Sequence, residues 1–395
     1  MGHFRALWRL FTFATFKLPM LILVSAVILT VVEIMDTDWI SETLFWAAGT
    51  IIGLAVFIWL FVIWRRPSKA FGSAHFSTAK DLRRAGLRGK GLILGKMNGR
   101  FIRFDNPGHL LTFAPTRSGK GVGAVIPNLL DHQGSVVVTD IKGENFRITA
   151  EYRNQLGPVL ALAPFDPQIG NACFNPVDFI RVGSPHEVDD ARLLAEMIIV
   201  TDKSEANHWE REARTLITGL LLYIATDTPP KKRNLSELRR LLMCNRHTFD
   251  AHLDLMVESD HMVVSRIADG FSQKEDKERG SVVSTAQSGT EVFESPHLAA
   301  ITNKSSFRFE CLKDGVMSLY IIIPPEYLRV YQPFMRLVIG LAIAAMSRNT
   351  KVPTRPVLFL MDELPALGYM RPIEDGIGYL AGYGASLWLF IQDLD

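Results

Sequence analysis

One lysine and four acidic or amide side chains, each just beyond an apolar run, carry the chemistry open to this 395-residue chain. Lys120 lies in Ala114-Pro115-Thr116-Arg117-Ser118-Gly119-Lys120-Gly121, between the runs 109–113 and Val122-Gly123-Ala124-Val125-Ile126. A Gly-Lys pair in a turn between strand and helix lets backbone N–H groups and one ammonium surround a polyphosphate. The stretch Ala114 to Val122 is therefore the expected nucleotide-binding loop. It departs from G-x-x-x-x-G-K-[ST] at both ends, with Ala114 for the first glycine and Gly121 for the hydroxyl residue. Gly121 cannot offer a hydroxyl to a metal, so Thr116, Ser118, water or carboxylates must serve.

Asp362 and Glu363 follow the apolar run 357–361 and look like a Walker B pair. A carboxylate on a strand end suits Mg²⁺ bridging the phosphates of ATP, and its neighbour suits activation of the attacking water. The expected roles are Asp362 for Mg²⁺, Glu363 for water activation, and Lys120 for charge developing on the β and γ phosphates. Gln392 ends the run 387–391, placed to sense the γ-phosphate or hold the water, and Asp140 ends 135–139 as a further metal candidate.

These residues need a scaffold. Apolar runs at 109–113, 135–139, 159–165, 319–323, 357–361 and 387–391 read as strands covered on both faces, with helices between them. That pattern is a parallel α/β sheet, in which ligands bind past the carboxyl ends of strands. Four strand ends carry the polar residues above. A hairpin is expected around Asn98-Gly99, and a short helix over 78–85. Pro127 is expected to kink or distort the helix after the loop. From 184 to 302 the strands stop. Ser184-Pro185-His186-Glu187 reads as a helix start with Ser184 as its cap, and helical periodicity follows over 188–200, 209–226, 235–243 and 249–257. This is a helical insert. Its basic cluster, Lys231-Lys232-Arg233 with Arg239-Arg240, reads either as a phosphate contact or as a solvated helix face.

The first third differs in kind. An apolar run at 18–32, extendable to about 14–34, and another over 43–64 without a charge read as two membrane spans. The second would reach ~33 Å as a helix. Arg5, Arg9 and Lys17 precede the first span, Arg65, Arg66 and Lys69 follow the second, and the connection is acidic. Both ends then face the cytoplasm. A cleaved signal peptide is the alternative for the first run. The net charge of +2 decides nothing about nucleic-acid partners. Cys173, Cys244, Cys311 and ten histidines show no zinc spacing.

The strings Ala114 to Gly123, Ile126-Pro127-Asn128-Leu129-Leu130, Val138-Thr139-Asp140-Ile141-Lys142-Gly143-Glu144, Phe174-Asn175-Pro176-Val177-Asp178 and Asp362-Glu363-Leu364-Pro365-Ala366-Leu367-Gly368 resemble the type IV secretion coupling proteins, the TraG-like conjugation ATPases. Residues 378–384 and 390–394 are similar to that family's later motifs. Gly121 and Pro127 are usual in it. The resemblance implies a RecA-like P-loop NTPase with an all-α domain at 184–302. The anchor would occupy 1–66, and the nucleotide domain 67–183 and 303–395. It implies a homo-hexamer in the bacterial inner membrane, using ATP and Mg²⁺. Its partners would be secretion-channel components and relaxosome or effector-protein substrates, with single-stranded DNA among them. In such rings a neighbour can contribute an arginine, and Arg117, Arg336 and Arg371 are candidates for phosphate or interface contacts. The family pattern continues past Asp395, which implies a chain shorter than usual. Two other readings stay open: a membrane receptor or platform that binds nucleotide without turnover, and an FtsK-type DNA pump.

Overall fold

The computed structural model describes residues 42–64, 75–106, 108–115, 117–201 and 207–392. The expected span at 14–34 and Thr116 lie outside these residues. The chain divides into two compact units, Met1–Phe76 and Ser77–Asp395, each described by itself.

In the first unit, helix α1 (Glu42–Trp64) covers the second expected span. Leu54, Phe57, Ile58, Trp59 and Val62 are exposed on it. A helix with so much bare apolar surface is at rest in hydrocarbon or under a partner, not in water.

The second unit opens with helix α2 (Ala79–Arg84), whose Thr78 forms a capping box with Asp81. Strands β1 (Leu92–Met97) and β2 (Arg100–Phe104) pair antiparallel. Asn98 and Gly99 both take positive φ, 50° and 77°, as a tight hairpin requires. Then follow β3 (Leu110–Phe113), a π turn (Gly121–Val125), α3 (Ile126–Asp131), β4 (Val136–Thr139), α4 (Glu144–Asn154) and β5 (Val159–Leu162). Helices α5 (Glu187–Ile198), α6 (His208–Thr226), α7 (Leu235–Met243), α8 (Arg246–Val257), α9 (Met262–Ser272), α10 (Asp276–Thr290), α11 (Pro296–Thr302) and α12 (Cys311–Asp314) intervene before β6 (Ser318–Ile321). The chain continues through α13 (Leu328–Arg348), β7 (Val357–Met361), α14 (Arg371–Ile377) and β8 (Ala385–Ile391).

Six strands form one sheet in the order β3-β8-β7-β4-β6-β5, and every neighbouring pair is parallel. Strand alternation divides the core. Val136, Val138, Leu358 and Leu360 face Val125 and Leu129 beside the loop. Val137, Leu319, Phe359 and Leu387 face the other way, into a larger core built with α5, α6 and α13. The α13 helix is long and apolar enough to cross a membrane, yet Phe334, Leu337, Val338, Leu341 and Ala345 are buried, so it is a core helix.

Two expectations need correction. Ser184 does not cap α5: the helix begins at Glu187, and Ser184 Oγ accepts only from the His186 N–H at 3.2 Å. Pro185 belongs to the preceding turn, which the Glu187 carboxylate closes by accepting from the Gly183 N–H. The helical stretch also holds α9, α10 and α11, which the periods over 188–257 do not include.

Candidate nucleotide site

Ala114 extends β3, its N–H donating to Ile391 O of β8 at 2.8 Å. The chain then turns sharply, with Arg117 at φ 62° and Gly119 at φ 82°. The left-handed backbone at Gly119 suits glycine. After Lys120 the helix opens wide: the Ile126 N–H reaches back five residues to Gly121 O. Pro127 explains this, because it has no N–H for the helical ladder and the π turn absorbs the mismatch before α3 begins.

Lys120, Asp362, Glu363 and Gln392 meet at the carboxyl edge of the sheet. Lys120 Nζ lies 2.9 Å from Asp362 Oδ1 and 2.5 Å from Glu363 Oε1. Gln392 Nε2 donates to Glu363 Oε2 at 2.5 Å. Burial acts to lower the Lys120 pKa, but the hydrogen bonds and charges of Glu363 and Asp362 outweigh it and hold the ammonium above its ordinary value. Glu363 adopts φ 56°, an uncommon left-handed conformation for a non-glycine residue. Its N–H donates to Asp362 Oδ1 at 3.1 Å, and Thr139 Oγ1 fixes the Asp362 carbonyl at 2.9 Å.

Asp140 lies beside this group at the end of β4 and is buried. Burial raises its pKa, opposed by backbone N–H groups of Phe146 and Asn145 and reinforced by the Asp362 charge. Among the described residues no three His, Cys, Asp or Glu side chains converge as a metal cage. A Mg²⁺ site that takes one or two carboxylates and fills the rest with phosphate and water oxygens fits this donor set.

The other candidates fall elsewhere. Arg117 is exposed on the loop, and Val122 is exposed one turn on. Arg336 and Arg371 line a separate cavity of about 460 Å³ with Arg214, Glu196 and Tyr379, and no member of the Lys120 group borders it. The arginines of the insert's basic cluster are bound internally, while Lys231 and Lys232 are exposed. Arg233 donates to Thr228 O, Arg239 to Glu294 and Gln287 O, and Arg240 to Glu237.

Two positioning residues escaped the sequence reading. The buried Asn128 side chain accepts from Ile93 N–H at 2.7 Å and donates to Ile93 O at 2.8 Å, clamping the hairpin to α3. His109 accepts at Nδ1 from the Leu387 N–H, and its Nε2–H donates to Ile377 O, joining β8 to α14. Asn128 stood in a quoted string, but no spacing rule marks a strand clamp.

Residues 72–395 match the family model described as Type IV secretory system Conjugative DNA transfer. The chain is 31% identical over 369 residues to the conjugal transfer protein TraG of Escherichia coli, covering 82% of this chain and 58% of the relative. It is 30% identical over 373 residues to protein VirD4 of Rhizobium radiobacter, covering 90% of this chain and 54% of that relative. The chain thus spans between half and three fifths of these relatives' length. Among solved structures, plasmid coupling protein TrwB in complex with the non-hydrolysable ATP analogue ADPNP shares the fold, with TM-score 0.62 at 16% identity over 82% of this chain and 75% of that one. TrwB in complex with ADP and Mg²⁺ aligns with TM-score 0.60 at 17% identity, over 81% and 74%. With the model covering the whole second unit and strand ends that follow one α/β P-loop plan, the chain belongs to the type IV secretory system conjugative DNA transfer family.

Proposed function

We propose that the chain is an inner-membrane coupling ATPase of a bacterial type IV secretion system. It would work as a homo-hexamer that passes relaxase-bound single-stranded DNA or effector proteins to the secretion channel. Helices between 184 and 302 would form the all-α domain of a RecA-like motor, with the nucleotide domain at 67–183 and 303–395 and the anchor at 1–66. The observation that carries the proposal is the meeting of Lys120 with Asp362, Glu363 and Gln392 across the ends of β3, β7 and β8.

The loop N–H groups from Arg117 to Gly121 and Lys120 Nζ would hold the β and γ phosphates. Lys120 now bridges both carboxylates with its single charge. An arriving polyphosphate offers it a stronger anion, which frees Glu363 Oε1. Asp362, with Asp140 behind it, would hold Mg²⁺, which supplies charge neutralisation on the phosphate oxygens. Glu363 would orient the attacking water and accept its proton, with Gln392 fixing its other oxygen. Arg336 and Arg371 lie away from this group and are assigned to contacts with a neighbouring subunit.

ATP turnover by the full chain in lipid, beside Lys120→Ala and Glu363→Gln, tests this. Wild type should exceed Glu363→Gln by about 10²–10⁴-fold while that variant still binds nucleotide. Lys120→Ala should lose binding. Equal rates in all three would leave a receptor without turnover. Stimulation by single-stranded DNA is expected of the motor.

A further inference from the structure

Between Lys80 and Arg103 the chain carries eight basic side chains and one acidic one, although the protein as a whole is near neutral. Lys80, Arg83, Arg84, Lys90, Lys96 and Arg100 are exposed. None of these six pairs with a carboxylate among the described residues, whereas Arg103 is held by Asp131. Two apolar side chains of the hairpin are also exposed, Leu94 at 38% and Phe101 at 48%. Lys96 Nζ and the Arg103 guanidinium lie 5.9 and 5.4 Å from the Phe101 ring centroid. An aromatic ring flanked by cations, one end apolar and one end charged, matches the headgroup level of a bilayer.

The place of the hairpin in the fold agrees. A cavity of about 250 Å³ brings Gly91 and Phe104 together with Gly108 before β3, Pro356 before β7 and Ser386 in β8. The hairpin thus sits at the amino edge of the sheet, opposite Lys120 and Glu363. The residues between α1 and Ser77 include Arg65, Arg66 and Lys69 and no acid.

We propose that α2 and the β1–β2 hairpin form a docking surface for anionic lipid headgroups, holding the amino edge of the sheet on the bilayer. This rests on the membrane-anchored reading above. Each Lys or Arg brought to an anionic surface shifts the contact equilibrium about five-fold. Single-stranded DNA would also answer the charge, but non-specific strands need a run of stacking rings, and among the described residues of α2 and the hairpin Phe101 is the one exposed ring. Docking would also bear on the loop helix, because Asn128 and Asp131 of α3 grip the hairpin through Ile93 and Arg103.

The test is hydrogen exchange on the full chain reconstituted in phosphatidylcholine vesicles with or without phosphatidylglycerol. Residues 80–103 should be protected only with phosphatidylglycerol, and molar salt should remove the protection, since screening then acts within about 3 Å. Replacing Lys80, Arg83, Arg84, Lys90, Lys96 and Arg100 by Gln should reduce the protection roughly ten-fold or more. Undiminished nucleotide binding would show that this variant is folded. Equal protection in both vesicles overturns the proposal. So does protection given by a single-stranded oligonucleotide and not by phosphatidylglycerol. Carbonate extraction judges the anchor separately: a chain that is extracted but still protected on anionic vesicles refutes the anchor and keeps the docking surface.

Discussion

The Gln392 amide donates to Glu363 Oε2 at 2.5 Å, tying the end of β8 to the end of β7. Glu363 offers its other oxygen to Lys120, so one carboxylate is gripped from two strands. Loss of the amide leaves Glu363 with only Lys120, and it should follow Lys120 toward the phosphates instead of holding water. Gln392→Ala is therefore expected to lower kcat about 10-fold or more while nucleotide Kd stays within a few-fold, the split of a group that acts in the transition state. Single-turnover kinetics with a binding titration measures both. Equal loss in kcat and affinity would assign Gln392 a structural role only.

Asp140 is a buried acid whose pKa lies above its ordinary value, with desolvation as the largest cause. The native state therefore binds its proton more tightly than the unfolded chain does. Its contribution to stability declines as pH rises from the unfolded pKa through the folded one, so the penalty grows with pH. Asp140→Asn keeps an acceptor for the Phe146 N–H and removes the charge. Tm should rise at pH 7 and change little near pH 3, while Mg²⁺-dependent turnover falls if the carboxylate serves the metal. A lower Tm at pH 7 would show that the charge is compensated.

Much of this site is legible in the chain because parallel strands buried on both faces leave long apolar runs, and the next polar residue marks the carboxyl edge. Asp140, Asp362 and Gln392 stand out that way, while Lys120 lies past β3, an edge strand with Leu111 and Phe113 exposed, and is marked by the Gly119-Lys120 pair. What lies between those ends is harder to read. The left-handed turn at Glu363 depends on the Thr139 and Asp362 bonds around it, and the runs carry no trace of either. The Asn128 clamp joins residues 35 apart by hydrogen bonds alone. Arg239 looks like surface charge until the fold delivers Glu294 to it, whereas Arg240 pairs with Glu237 one turn back on its own helix. Arg336 and Arg371 are far apart in sequence and meet in a cavity set by how α13 packs against α14.

Gly121 departs from the usual hydroxyl residue, and the structure leaves room for one. A Cβ built there meets nothing within 4 Å, and the backbone is not left-handed. Gly121→Ser should fold normally and gain up to about 1 kcal/mol, because the unfolded chain loses freedom. Its hydroxyl would also stand where Mg²⁺ is expected. Nucleotide affinity in Mg²⁺ should hold or improve, measured by calorimetry. A ten-fold loss would mean that the polyphosphate itself needs the bare backbone.

His132 and Arg153 lock the far end of α3, and their contacts set a pH response. The fully buried Arg153 has no carboxylate partner among the described residues. It donates to Ser318 Oγ at 2.8 Å and to the carbonyls of His132 and Gly134. The His132 Nε2–H donates to Pro356 O at 3.0 Å. Burial first, and the Arg153 charge next, push the His132 pKa down to about 4. The unfolded chain then takes up a proton that the folded one refuses, so stability present above pH 6.5 is lost as pH falls toward 4. The full difference is roughly 3 kcal/mol. His132→Gln keeps a donor and removes the titration, so its Tm should vary less than wild type between pH 7 and pH 4.5. Arg153→Met removes the charge but orphans several acceptors, and it should destabilise by about 2–4 kcal/mol. It should also raise the His132 pKa by the smaller, charge-borne part of its shift, which the imidazole proton signals followed by NMR would reveal. An unchanged titration in Arg153→Met would leave burial as the whole cause.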